Sequence, residues 1–243
     1  MGITFASLSH AAKSALVSMA PAATTPDLPL GHVHQALAAA LGFNSHAALK
    51  AAVQSGEEAP TYDLATHVLL DLPRLATRMS ELGHPTRVNA VTEAVRNAFD
   101  TLLPKAKLHD SVSDLGDEIH GEVADAIETD NSYSSELAST NAYGGDFDLS
   151  FDEAVPIDQA RGQWVMVAEG SSSLDQDLDR SFSGDVIDVS ARVVFEKMGR
   201  RVLGEMVIEV TGASVQDWGP DPDDEPADFE PPANGAAEGA RNV

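Results

Sequence analysis

The chain has 243 residues, with 39 Asp and Glu against 15 Lys and Arg, a formal net charge of -24 and no cysteine. A hydrophobic share of 43% with 5% aromatics points to globular cores built largely from Ala, Val and Leu, and the length suits two compact units. The missing cysteines exclude disulfides, thiolate metal sites and thiol nucleophiles and fit a reducing compartment, while the charge excludes phosphate-backbone binding over most of the surface.

The first 22 residues place a Lys before an apolar stretch, but Ser and His interrupt it, and the run is short of the ~20 residues a bilayer span needs. A cytoplasmic protein with no membrane segment is expected. The apolar period predicts a helix over 8–20 stopped by Pro21, and a second over 30–41 ended by Gly42. A short third helix over 47–54 has Ser45 as its N-cap and Gly56 as its stop. These three form a small helical unit over 1–56.

Beyond the break at GEEAP, a helical segment over 60–130 follows. Leu64, Val68, Leu72, Leu75 and Met79 recur at spacings of three and four and predict a long helix over 63–82 with a kink at Pro73. His84 before Pro85 marks the next boundary. Val88, Val91, Val95, Phe99 and Leu102 then share one helical face, ending near Pro104. Over 111–128, Val112, Leu115, Ile119, Val123 and Ile127 predict a helix with an acidic polar face, which Gly116 and Gly121 each weaken by ~1 kcal/mol relative to Ala. Residues 131–145 have no period and many Ser, Asn and Gly, and read as a domain linker.

From there the period changes to two, predicting an antiparallel β domain over 146–218. The hairpin over 185–210 should bury Ile187, Val189, Val193, Phe195, Val202, Met206 and Ile208 on one face, turning at Met198 and Gly199. QWVMVA at 163–168 supplies the third strand that a hairpin needs for stability. Residues 219–243 are Pro-rich and acidic and should form a disordered tail. The fold class is therefore α+β: an N-terminal helical domain, a small antiparallel β-sheet domain and an acidic tail.

The charge is unevenly spread. Residues 1–109 are balanced, with 8 acidic and 8 basic side chains, whereas 110–160 carry 14 acidic ones and no Lys or Arg. Residues 161–216 carry 9 against 6, and those from Asp217 onward 8 against 1. An acidic run of this kind is either a solvated, solubilising face or a surface for a basic partner. The second reading makes Asp110, Asp114, Asp117, Glu118, Glu122, Asp125 and Glu128 the partner-binding residues of a non-enzymatic interaction protein. Its partner would be a basic or nucleic-acid-handling protein, toward which the chain acts as a nucleic-acid charge mimic.

An alternative starts from HQALAAALGFNSHAALKAAV at 34–53, a helix, a Gly-containing turn and a second helix in helix-turn-helix layout. Its second helix offers only His46, Lys50 and Gln54 to base edges, few cations for a DNA-binding regulator. In that reading the β domain serves for dimerisation or as an effector, and a homo-oligomer is compatible with either reading.

The same stretch, LGHVHQALAAALGFNSHAALKAA preceded by AAKSAL, resembles the short helical module of glyoxalase-related proteins over residues 4–53. That family places Ser-His before an Ala-Leu helix, then a Leu-Gly-aromatic turn and a final Ala-Leu helix. Here Gly31 stands where the Ser is expected and His46 where a Trp often lies. The resemblance implies a helical unit and no catalytic residues.

Other constellations fall short of a site. His32 and His34, like His120 and Glu122, are i and i+2 and diverge on a helix, with His10 and His46 only nearby in sequence. Asp146, Asp148, Asp152 and Glu153 lie in a stretch too acidic and solvated to separate their pKa values for acid-base work. Ser171 to Ser173 has no adjacent His, and no Gly-rich loop leads into Lys-Ser or Lys-Thr. No catalytic residue, metal ligand or cofactor is expected, and an enzyme of unknown chemistry is the third reading.

Overall fold

The apolar periods of the first 56 residues become three helices. The computed structural model describes residues 2–19, 28–56, 62–140, 142–176 and 186–216. In it, α1 spans Phe5–Met19, α2 Leu30–Ala40 and α3 His46–Ser55. The expectation for the tail at 219–243 lies outside the described residues. Helix α2 ends in a Schellman turn: Gly42 takes φ +83°, its N–H donates to the Ala39 carbonyl, and the Phe43 N–H donates to that of Ala38, both at 2.9 Å. The Ser45 hydroxyl accepts from the Ala48 N–H at 3.1 Å and starts α3, and Gly56 closes it at φ +71°.

The long helix expected over 63–82 does not form. A 3-10 turn at Tyr62–Leu64 leads instead into strand β1 (His67–Leu69), and α4 (Leu72–Glu81) follows. Two local signals override the helical period. Val68, Leu69 and Leu70 are a consecutive apolar run, each at most 1% exposed, as suits a short strand covered on both faces. Asp71 caps α4 by accepting from the Arg74 N–H at 3.0 Å, so Pro73 lies in the first turn, where its missing N–H costs nothing. The proline read as a kink is a start signal. Helix α5 (Val88–Leu102) buries Val91, Ala94, Val95, Ala98 and Phe99, and strand β2 (Lys107–His109) runs parallel to β1.

The linker expected over 131–145 is also structured. Helix α6 (Val112–Glu128), capped by Ser111, is followed by α7 (Asn131–Thr140) and by strand β3 (Ala142–Glu153). Its weak propensity is overridden by tertiary contacts: the buried Tyr133 hydroxyl meets the buried Ser172 hydroxyl at 2.8 Å, and the Tyr133 ring packs on Phe147. The Asp130 carboxylate accepts from the Ser132 N–H at 2.8 Å and helps to start the helix.

Strands β4 (Gln163–Gln176), β5 (Val186–Lys197) and β6 (Val202–Val215) complete a six-stranded mixed sheet of order β2-β1-β6-β5-β4-β3. The fold is α+β, but its strands are not confined to the second half. Strand β1 pairs antiparallel with β6, so residues 67–69 and 107–109 belong to the sheet expected only after residue 146, and the β1–β2 pair makes it mixed rather than antiparallel. Helices α1 to α5 enclose one core with Val68 and Val202, while α6 and α7 cover the sheet over a second, centred on Trp164, Met166, Val193 and Phe195.

The hairpin expectation holds with one correction. Ile187, Val189, Ala191, Val193 and Phe195 are buried, with Met206 and Ile208 half-buried on the same face. Val202 is buried on the opposite face, in the first core, because a register shift between Phe195 and Lys197 inverts the alternation beyond it.

The two glycines of α6 differ in kind. A Cβ on Gly116 would lie 2.9 Å from the Phe151 ring of β3, so the helix needs glycine there to approach the sheet, whereas Gly121 is exposed with open space around it. Gly121→Ala should raise stability by about 0.5–1 kcal/mol through helix propensity, and Gly116→Ala should lower it by about 1–3 kcal/mol through overpacking. Urea unfolding of both variants checks this, and a gain at both positions would show that propensity alone acts.

Candidate functional site

Helix α6 turns its apolar stripe of Leu115, Ile119, Val123 and Ile127 onto the sheet, and the same 3.6-residue period turns Asp114, Asp117, Glu118, Glu122, Asp125 and Glu128 to solvent. Two of the seven carboxylates named from sequence are held in ion pairs, Asp110 with Arg96 and Glu118 with Lys107. Lys107 accordingly holds Glu118 below the usual carboxylate range. Asp114 accepts from the Asp110 N–H at 3.0 Å. Asp117, Glu122, Asp125 and Glu128 are exposed and in no ion pair among the described residues.

A second acidic surface lies on the other side of the sheet. Pairing from β3 to β6 aligns Asp152, Val167, Arg192 and Glu209 in one row, Ser150, Glu169 and Ser190 in the next, and Asp148, Ser171 and Asp188 in a third. All of their carboxylates are exposed, as are Asp146, Glu196 and Glu205. Arg192, paired with Glu209 at 3.2 Å, is the cation of these rows. Val165, Val194 and Val207 form an apolar row across three strands of the same face, and Val207 is 60% exposed. Sequence reasoning used the strand alternation to find the buried face and passed over this one, although the signal lay in the intervening acidic residues.

A comparison with known protein families, curated proteins and solved structures finds no match to this chain.

The remaining sequence candidates are dispersed. Of the possible base-reading residues, His46 is half-buried and stacked on Phe5 with ring centroids 5.2 Å apart, while Lys50 and Gln54 are exposed, and all three border one cavity. His32 lies 3.0 Å from His84, His34 packs against His46, and His120 meets the edge of Phe151. Among the described residues no group of three or more His, Asp or Glu side chains is arranged to hold a metal ion, and no helix is long and apolar enough to cross a membrane. Ser172 is buried on Tyr133, while Asp146, Asp148, Asp152 and Glu153 lie along the exposed edge strand β3, where charge discourages edge-to-edge pairing.

Two clusters were not anticipated. His67 and His109 lie on one face of the parallel β1–β2 pair, with His67 Nδ1 3.0 Å from His109 Nε2 and both rings buried. Burial is the main cause that lowers His67 to about 4, with His109 and Lys107 adding to it, and burial likewise lowers His109 against the opposing pull of Asp114. The second cluster joins Arg201, Asp158, Asp71, Arg74 and Arg200 across three chain segments. Arg201 grips Asp158 with Nε at 3.0 Å and Nη2 at 3.2 Å, and reaches Asp71 at 3.3 Å. Both clusters tie strands or loops distant in sequence, so local period could not reveal them.

Proposed function

We propose that this chain is a non-enzymatic interaction protein whose acidic surface engages a basic, nucleic-acid-handling protein by mimicking nucleic-acid charge. The observation that carries the reading is the exposed ridge of α6. From Asp114 to Glu128 it spans about 21 Å at the helical rise, so the carboxylates outside ion pairs, Asp114, Asp117, Glu122, Asp125 and Glu128, lie about 5 Å apart on average. That spacing is of the same order as the ~3.4 Å per phosphate along one strand of duplex DNA. The acidic rows of the sheet add to the field on the opposite side, which favours a cationic partner and steers its approach. Residues 4–53 are proposed to be a helical module like that of glyoxalase-related proteins, a reading supported by three helices, the second and third of which are joined through the Leu41–Gly42 turn.

The test compares the wild-type chain with a variant carrying Asp117→Asn, Glu122→Gln, Asp125→Asn and Glu128→Gln. The wild type should retain a basic, nucleic-acid-handling protein from host lysate, duplex DNA should displace it in competition, and the variant should lose at least tenfold in affinity, less so as salt rises. Capture that DNA does not displace, or equal affinity of the two forms at low salt, would overturn the reading.

A further inference from the structure

The helical unit at the start of the chain contains a cavity of about 640 Å³, within the range of sites for small organic ligands. Ile3 and Phe5 at the start of α1, and Leu49 and Val53 on α3, give it apolar walls; Val53 is 44% exposed there. Phe5, His34 and His46 add three rings in mutual contact, with centroids 4.6 to 5.9 Å apart.

Its charge runs against that of the molecule. Among the described residues no carboxylate lines the cavity, in a chain whose net charge is -24. Lys50 is exposed at its border with no ion pair among the described residues, in contrast to Lys107, Arg96, Arg74 and Arg201. His34 and His46 are held below the usual imidazole range, first by burial, then by His10 and Lys50 for His34 and by His34 and Lys50 for His46. A negative charge placed there would meet a cation and two imidazoles that can become cations.

Tyr62 lies behind these groups. It forms part of the wall, is 2% exposed, and its hydroxyl is buried without a hydrogen-bond partner among the described residues. The ring of Tyr62 thus closes the cavity on its inner side.

We propose that this cavity, bounded by α1, α2, α3 and Tyr62, is a binding site for a small aromatic carboxylate. The aromatic body packs among Phe5, Leu49 and Val53 and against the imidazoles, and the carboxylate pairs with Lys50. A neutral aromatic of the same shape gains the apolar contacts but not the charge pair, so recognition discriminates between the two. The site is independent of the acidic faces, which lie on other elements.

The experiment titrates the full-length protein with 1-naphthoate and with 1-naphthalenemethanol, its neutral counterpart, following binding by calorimetry and the imidazole protons of His34 and His46 by NMR. Saturable binding of the naphthoate is expected, at least tenfold tighter than the alcohol, with both imidazoles titrating at higher pH in the complex. Lys50→Met, at an exposed position, should remove most of the preference for the carboxylate. Val53→Trp should fill the cavity and weaken both ligands while leaving the melting temperature close to that of the wild type. No saturable binding at millimolar naphthoate, equal affinity for acid and alcohol, or an unchanged preference in Lys50→Met overturns the proposal.

Discussion

Replacing Arg201 with Met should lower the stability of the chain by about 2–3 kcal/mol. Arg201 begins the return into β6, Asp158 lies in the connection between β3 and β4, and Asp71 caps α4, so one guanidinium fastens three segments. Both carboxylates are less than a fifth exposed, and breaking a largely buried pair costs 3–5 kcal/mol because the partner keeps its charge without compensation. Arg74 Nε at 2.9 Å from Asp71 and Arg200 Nε at 3.4 Å from Asp158 remain after the substitution, which sets the expectation below that range.

Gly42 offers a separate handle on the same cluster. A Cβ there would lie 2.8 Å from Arg201 Nε and 2.9 Å from an Asp158 oxygen, on a backbone at φ +83°. Gly42→Ala therefore combines a left-handed backbone penalty of about 1–2 kcal/mol with displacement of the clamp. In an Arg201→Met background the collision with Nε is gone, so the two losses should be sub-additive by at least about 0.5 kcal/mol in a double-mutant cycle from urea unfolding. Strict additivity would show that the turn and the clamp act independently.

The parts of the fold that were legible from sequence are those in which one periodicity acts alone. Ser45, Gly56 and Ser111 sit at the helix ends that their side chains or backbone preferences dictate, and Ile187 to Phe195 alternate as a half-covered strand must. Legibility failed where long-range pairing decides. Val68 fits a helical stripe with Leu72 and Leu75 equally well, and its pairing with Leu108 of β2 and Val202 of β6, both far along the chain, fixes it as a strand residue. Residues 131–140 are poor helix formers locally and become a helix because Tyr133 has Ser172 to meet.

The candidate site divides in the same way. The exposed carboxylates of α6 follow from its period, but the pairing of Asp110 and Glu118 with cations from outside the helix does not, and the acidic rows of the sheet required the strand register. The cavity beside α3 required the start of α1 and Tyr62 to be brought together, two places more than fifty residues apart that no motif connects.

Between pH 6.5 and pH 4 the native state should lose on the order of 3 kcal/mol of stability through His67 and His109. The folded chain holds His67 at about 4, while an unfolded chain titrates it near 6.5, so over that interval the unfolded state binds the extra proton. The contribution is therefore complete above the unfolded value and is lost as pH falls toward the folded one. At 1.36 kcal/mol per unit, a difference of about 2.5 units sets the magnitude, and the lowered His109 acts in the same direction. With His109 carrying its proton on Nδ1, which lies 3.8 Å from Asp114, its Nε2 is free to accept from His67 Nδ1–H, and a second proton has no acceptor between the two rings. The edge of Phe195 packs against His67 and completes the exclusion of water. Acidification also neutralises carboxylates and relieves the self-repulsion of a chain at -24, so the net profile of the wild type combines opposing trends. A His67→Asn variant isolates the pair, because the amide can keep a hydrogen bond near the position of Nδ1 without titrating. Urea unfolding at intervals from pH 7 to pH 4 should give a difference between wild type and variant that shrinks by about 2–3 kcal/mol on acidification. A difference that stays constant over this range would place the acid sensitivity elsewhere.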